Sequence, residues 1–297
     1  MTSGEKAGSG RAPGGNAAPE AAALLAGVSR TLLVTLCGRA RGAALFPATG
    51  FADPLAEAYV AALGLDAAQY ARTPECVFGV VRRSQAIDSL IRRFAREHGA
   101  IAVINLGAGL STTFERLAEP DDCRDILWVD VDLPQAAGLH AALAPSHPGR
   151  RMMAADVEQP GWTQGLDLPD RPTLVVAEGL VPYLTAASFG ALIDELAARF
   201  GDRPLRMVYD GFAFTMEGMA RFHASIGPLA RADRSIEFRF GARRRADYTA
   251  GRRDWQLAAL LPVMEGLSPV HTMTCQMFTA TFGVPFYAVA AIDHRRT

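Results

Sequence analysis

Between residues 103 and 112 the chain reads VINLGAGLST, an apolar run that ends in Gly107 and Gly109 and leads toward helical spacing. Glycine there lets the backbone approach a ligand where a Cβ would clash. A GxG loop after a first strand, opening a helix, is the nucleotide-site geometry of doubly wound folds. A dinucleotide fingerprint would carry a third glycine where this chain has Thr112, so pyrophosphate binding loses its main support. Ser111 and Thr112 are placed to cap the helix instead. In WVDVDLP (128–134), Asp130 and Asp132 share one strand face. Asp132 lies nearer the carboxyl edge, where an acid can accept hydrogen bonds from two ribose hydroxyls; a solvent-facing strand end is the alternative.

Two further acids complete the set. AADVEQPGW (154–162) puts Asp156 at the end of a third strand. Its carboxylate can accept a bond from an adenine amine, and the Val157 N–H can bond a ring nitrogen; a plain turn is the other role open to Asp156. In VVAEGLVPYL (175–184), Glu178 follows a buried apolar run. An anion there is costly unless it faces a site or a partner.

Elements that position these residues follow from periodicity. PLAEAYVAALG (54–64) and QAIDSLIRRFAREHG (85–99) carry apolar residues at three- and four-residue spacing and stop at glycine. Strands are expected at 100–109, 125–134, 149–157, 172–184 and 205–213, with helical stretches such as PQAAGLHAALA and AASFGALIDELAARFG between them. That alternation predicts an α/β fold with a doubly wound, mostly parallel sheet. The expected organisation is a disordered tail over 1–20, then one domain over 21–297. It comprises helices at 21–99, a ligand-binding core at 100–213, a helical cap at 214–270 and a last strand in 271–297.

Composition narrows the function classes. With 49% hydrophobic residues the chain can build a sizeable core, and a net charge of −1 gives no global field for nucleic acid or anionic membrane. Four scattered cysteines without a C-x-x-C pattern argue against a zinc site and a disulfide framework. No apolar run approaches the roughly 20 residues that span a bilayer, and no signal-peptide pattern is present. A cytoplasmic protein is the expectation.

Taken together, INLGAGLSTTFERL, VDVDLPQ and AEGLVPYL, in this order and spacing, resemble the leucine carboxyl methyltransferase family, and most of all its polyketide-tailoring O-methyltransferases. The resemblance runs over roughly residues 30–213 and includes the landmarks Arg39-Ala40 and Asp53-Pro54. It implies a class I, Rossmann-like methyltransferase fold that uses S-adenosylmethionine. By the same resemblance Arg83 pairs with the methionyl carboxylate, with Arg82 as fallback. Gly107 and Gly109 form the loop, Asp132 holds the ribose, Asp156 and Val157 clamp the adenine, and Glu178 lies beside the methionyl amino group. Arg39 matches a family basic residue loosely. Ser111 stands where the family usually has Asp.

An activated sulfonium methyl leaves little chemistry to the protein. A carboxylate acceptor is ionised at pH 7 and needs no base, whereas a phenol, with a pKa near ~10, gains from one. His223 is the histidine considered for that part, against a packing role, and Tyr183 can face the same cleft. Phe212, Phe214, Met216, Met219 and Phe222 are candidates for an acceptor pocket or for the core of the cap. ARRRADYTAGRRD (242–254) suits an anion, an RNA backbone or a solvated face. The expected acceptor is a small acid or polyketide of secondary metabolism, with neither nucleic acid nor membrane as partner. Methylation of a protein C-terminus or tRNA is the runner-up. A NAD-dependent oxidoreductase and a non-catalytic S-adenosylmethionine-binding protein come behind it.

Overall fold

All six residues of β1 (Ile101–Leu106) are buried, so this strand needs cover on both faces. The computed structural model, which describes residues 25, 28–118 and 125–295, shows how that cover is built. The tail expected over 1–20 lies outside the described residues. Parallel to β1 run β2 (Ile126–Asp132), β3 (Arg150–Ala154), β4 (Thr173–Ala177) and β5 (Leu205–Ala213). The two-residue β6 (Gly241–Ala242) pairs with the end of β5. Then come β7 (Trp255–Pro262) and β8 (Tyr287–His294), and the sheet order is β3-β2-β1-β4-β5-β8-β7. β8 is antiparallel to both of its neighbours. This is an α/β, doubly wound, mostly parallel sheet. Its order reverses between β1 and β4, and the crevice at such a switch point is where open α/β sheets bind ligands.

Helices close both faces. In chain order they are α1 (Thr31–Leu45), α2 (Pro54–Ala62), α3 (Ala67–Tyr70), α4 (Pro74–His98), α5 (Thr113–Ala118), α6 (Pro134–Leu143), α7 (Ala186–Phe200), α8 (Gly227–Ala232) and α9 (Pro269–Phe282). α4 starts with Thr73 accepting the Cys76 N–H (3.3 Å) and Pro74 at its first position; it ends at Gly99 in the left-handed region. Ile87, Leu90, Ile91 and Phe94 of α4 pack on Ile101, Val103 and Val176. Phe189, Ile193, Leu196 and Phe200 of α7 cover Ile104, Leu106 and Val175 on the opposite face. Residues of β1 two apart therefore enter one core and their neighbours the other. Gly38 and Gly42 bring α1 close against α4: a Cβ at Gly42 would stand 2.6 Å from Val81, and one at Gly38 2.9 Å from Val80.

Residues 214–270 are not a helical cap throughout. After three short helical turns, α8 and β6, residues 255–262 form the edge strand β7. WQLAALLP is rich in alanine and leucine, residues of high helix propensity. Pairing with β8 overrides that preference, with a register shift at Leu257/Ala259. The last strand falls where expected, but α9 precedes it.

Candidate active site

The left-handed backbone of Gly107 (φ 61°) and Gly109 (φ 48°) turns the chain sharply after β1. That turn aims the Gly109 N–H at Asp132, which accepts it at Oδ2 (2.6 Å) and the Leu133 N–H at Oδ1 (2.7 Å). Burial raises the Asp132 carboxyl above the ordinary range. Asp130, two residues earlier, is withdrawn from the crevice. It accepts from Asn105 (2.8 Å), Trp128 (2.9 Å) and Arg150 (2.6 Å) and ties β1 to β2.

Thr112, in the third glycine's place, is buried and donates to Asp53 (2.5 Å). Asp53 also accepts from Arg39 Nε (3.2 Å) and Arg116 Nη1 (2.9 Å), and it caps α2 through the Ala56 N–H (3.0 Å). Arg39 in turn donates to the Leu110 carbonyl (2.6 Å). A threonine therefore fastens the loop to the amino-terminal helices where a dinucleotide fold needs a bare backbone. The Ser111 hydroxyl accepts the N–H of Thr113 (3.3 Å), the first residue of α5.

Arg83 is the hub of the crevice. α4 delivers it, 5% exposed, to the ends of β4 and β5. Its Nε donates to Glu178 (2.9 Å), and its Nη1 to Asp210 (3.2 Å) and the Tyr287 hydroxyl (3.0 Å). Its buried Nη2 has no hydrogen-bond partner among the described residues. Burial opposes the Arg83 charge, but Tyr287, Asp210 and Glu178 outweigh it and raise its pKa. For Glu178, burial works upward, yet Arg83, with Arg39 and Arg116 behind it, holds the carboxyl below its ordinary value. Ser84 adds a bond to the same oxygen, Oε1 (3.1 Å). A carboxyl lowered by folding stabilises the protein above its unfolded pKa of about 4.3, and that contribution fades as pH falls through the lower folded value. Urea unfolding between neutral and acidic pH is accordingly expected to show a steeper loss of stability for the wild type than for Glu178→Gln.

A cavity of about 610 Å³ opens here, and Arg83, Gly107, Gly109, Asp132 and Glu178 all lie in its wall. Arg39, Asn105 and Asp210 join them. The wall also carries apolar side chains, among them Val34, Met216, Ile226, Phe238 and Phe286. Asp156 and Val157 follow β3 at the same edge but are not in the wall. Asp156 accepts the Glu158 N–H (3.0 Å), which is the turn role, and Val157 packs on the core. Arg82, the fallback for Arg83, is exposed and bonds Gln85 (3.2 Å).

The candidates for an acceptor pocket divide. Phe212, Met216, Tyr183 and His223 reach the wall. Phe214 does not: it packs edge-on against Phe282 (5.5 Å) under the Arg243 guanidinium (5.0 Å). Met219 and Phe222 point to solvent, at 38% and 64% exposure. Their segment is built from short turns around α8, so helical spacing does not tell which side chains face inward.

His223 Nδ1 accepts the N–H groups of Ser225 (3.3 Å) and Ile226 (3.1 Å), so the ring proton sits on Nε2. Burial lowers its pKa. The imidazole is thus a fixed neutral donor, poorly suited to take a proton. Burial also raises the Tyr183 hydroxyl. In the arginine-rich stretch, Arg243 pairs with Glu217 (2.6 Å), Arg244 with Asp247 (3.1 Å) and Arg252 with Asp194 (2.6 Å). These surface pairs answer most of its charge internally.

Asp210 and Tyr287 escaped the sequence reading. Asp210 is the single acid inside the apolar strand LRMVYDGFA, a signal related to the one that singled out Glu178 after its own strand; Tyr287 carries no such signal. Among the described residues no cluster of metal ligands occurs, and no helix is long and apolar enough to cross a membrane.

The leucine carboxyl methyltransferase family model matches residues 34–197. Tetracenomycin polyketide synthesis O-methyltransferase TcmP of Streptomyces glaucescens is 34% identical over 163 residues, which is 55% of this chain and 58% of that protein. The S-adenosyl-L-methionine-dependent methyltransferase dpfgK of Gibberella zeae is 28% identical over 191 residues, 60% of this chain and 63% of the relative. These matches span about three fifths of the relatives' length. A solved structure from Thermobifida fusca YX, provisionally assigned as a methyltransferase, superposes with a TM-score of 0.52. It covers 88% of this chain and 94% of its own at 18% identity, and so shares the fold.

Proposed function

Because the chain belongs to the leucine carboxyl methyltransferase family, we propose that it is an S-adenosylmethionine-dependent O-methyltransferase acting on a carboxylate of a small acid or polyketide. The observation that carries this reading is the buried, unpartnered Nη2 of Arg83 in the wall of the switch-point cavity, beside an ionised Glu178. An α-amino-acid tail presents one carboxylate and one ammonium. A guanidinium nitrogen matches the first, and Glu178, whose Arg83 and Ser84 bonds both use Oε1, has Oε2 for the second. Gly107 and Gly109 leave room for a nucleoside to lie against the backbone, and Asp132 faces its ribose. Asp156 and Val157 follow β3 outside the cavity wall, so the adenine clamp that the resemblance implies draws no support from the wall residues.

When bound, S-adenosylmethionine supplies a methyl group already activated on sulfonium. The protein's part is alignment in a cavity with apolar walls. His223 is a donor and Tyr183 keeps its proton, so neither is set to deprotonate a phenol. This favours an acceptor oxygen that arrives ionised. Transfer of labelled methyl from S-adenosylmethionine to aromatic carboxylic acids, peptides and RNA is the test. Incorporation into the acids alone supports the reading; incorporation into peptide or RNA alone refutes it. With a carboxylate acceptor, kcat/KM is expected to be flat above about pH 6, since the acid is ionised well below that. A profile still climbing toward about pH 10 would instead report a phenol.

The paired arginines of 243–252 and the net charge of −1 give no support to an RNA substrate.

A further inference from the structure

We propose that Asp210 and Tyr287 are positioning residues that orient the Arg83 guanidinium so that its free Nη2 meets the carboxylate of the cofactor's amino-acid tail. The inference rests on the methyl-transfer reading above and assigns work to two side chains that lie outside residues 34–197, the span of the family match.

An arginine fork on a long, flexible stem does not choose its own direction. Here three groups close a ring around Nη1. Arg83 donates to Asp210 Oδ2 (3.2 Å) and to the Tyr287 hydroxyl (3.0 Å), and that hydroxyl donates to the same Oδ2 (2.8 Å). Asp210 is 1% exposed, and burial pushes the Tyr287 hydroxyl far up, so the tyrosine keeps the proton it donates. The second Asp210 oxygen accepts the Gly179 N–H (2.5 Å), next to Glu178. One carboxylate thus sets both the cation and the turn that carries the anion.

The sheet explains how the pair reaches the site. β8 runs antiparallel to β5, so its first residue, Tyr287, lies opposite Phe212 at the carboxyl end of β5. Its ring stacks on Phe212 at 4.4 Å and 22°. A parallel strand would have begun at the far edge, away from the site.

Calorimetric titration of the purified protein with S-adenosylhomocysteine and with 5′-methylthioadenosine, which lacks the amino-acid tail, tests the proposal. Tyr287→Phe keeps the stacked ring and removes one hydroxyl. It is expected to weaken S-adenosylhomocysteine binding about tenfold, the usual effect of losing a bond to a charged group, while leaving methylthioadenosine affinity unchanged. Asp210→Asn is expected to lower the same ratio further. A lowered melting midpoint with an unaltered affinity ratio would mean a purely structural role and overturn the proposal. If the wild type binds neither nucleoside, the methyl-transfer reading falls, and this inference falls with it.

Discussion

Arg83→Lys is expected to weaken S-adenosylhomocysteine binding by about 100-fold, because one compact ammonium cannot occupy the separate positions from which Nε and Nη1 hold Glu178 and Asp210 and Nη2 meets a ligand carboxylate. The wild-type guanidinium spends Nε and Nη1 inside the protein and has Nη2 left over. Lysine retains the charge, so the two buried acids keep a counter-ion and the fold is spared most of the damage. Arg83→Met would remove that charge as well. Breaking a buried ion pair in this way costs roughly 3–5 kcal/mol, so loss of binding would be confounded by loss of folding. The lysine variant therefore isolates the geometry. Calorimetry gives the affinity, and a thermal melt in parallel confirms that the protein is folded.

Asp53→Ala carries the largest expected effect on stability. Four donors converge on this carboxylate: Arg39, Arg116, Thr112 and the Ala56 N–H. Arg39 is buried, and burial lowers its pKa even with Asp53 beside it. Arg116 keeps a second partner in Asp88 (2.9 Å), but among the described residues Arg39 has no carboxylate other than Asp53 in contact. Removing Asp53 leaves a buried cation uncompensated, uncaps α2 and releases Thr112 from the glycine loop. A loss of about 3–5 kcal/mol is expected in urea unfolding. Arg244→Ala is the control. Its pair with Asp247 lies at the surface, where such contacts contribute about 0–1 kcal/mol.

How much of this was legible in the sequence depends on the distance over which each residue finds its partners. The strand LRMVYDGFA has the bounds its apolar run suggested, and the loop INLGAG turns at the two glycines, because both features are local. Glu178 was legible for the same reason: an acid closing a buried run has to face something. Thr112 was legible only as a departure, since the partner that explains it, Asp53, is 59 residues away. Asp210 hid within an apolar strand that was read for its burial rather than for its single acid. Tyr287 could not be found from its neighbours, because its part depends on β8 running antiparallel beside β5. The edge strand β7 was lost to its helix-favouring composition. Phe214 and Phe222 show the opposite error: aromatic residues in an irregular segment promise a pocket wall, but only the turns decide which of them face it.

A crystal structure of the protein grown with S-adenosylhomocysteine tests the central claim most directly. The account predicts the nucleoside in the crevice between β1 and β4, its tail carboxylate on Arg83 Nη2, its amino group at Glu178 and its ribose hydroxyls on Asp132. Density for the nucleoside elsewhere on the molecule, or its tail turned away from Arg83, would contradict it.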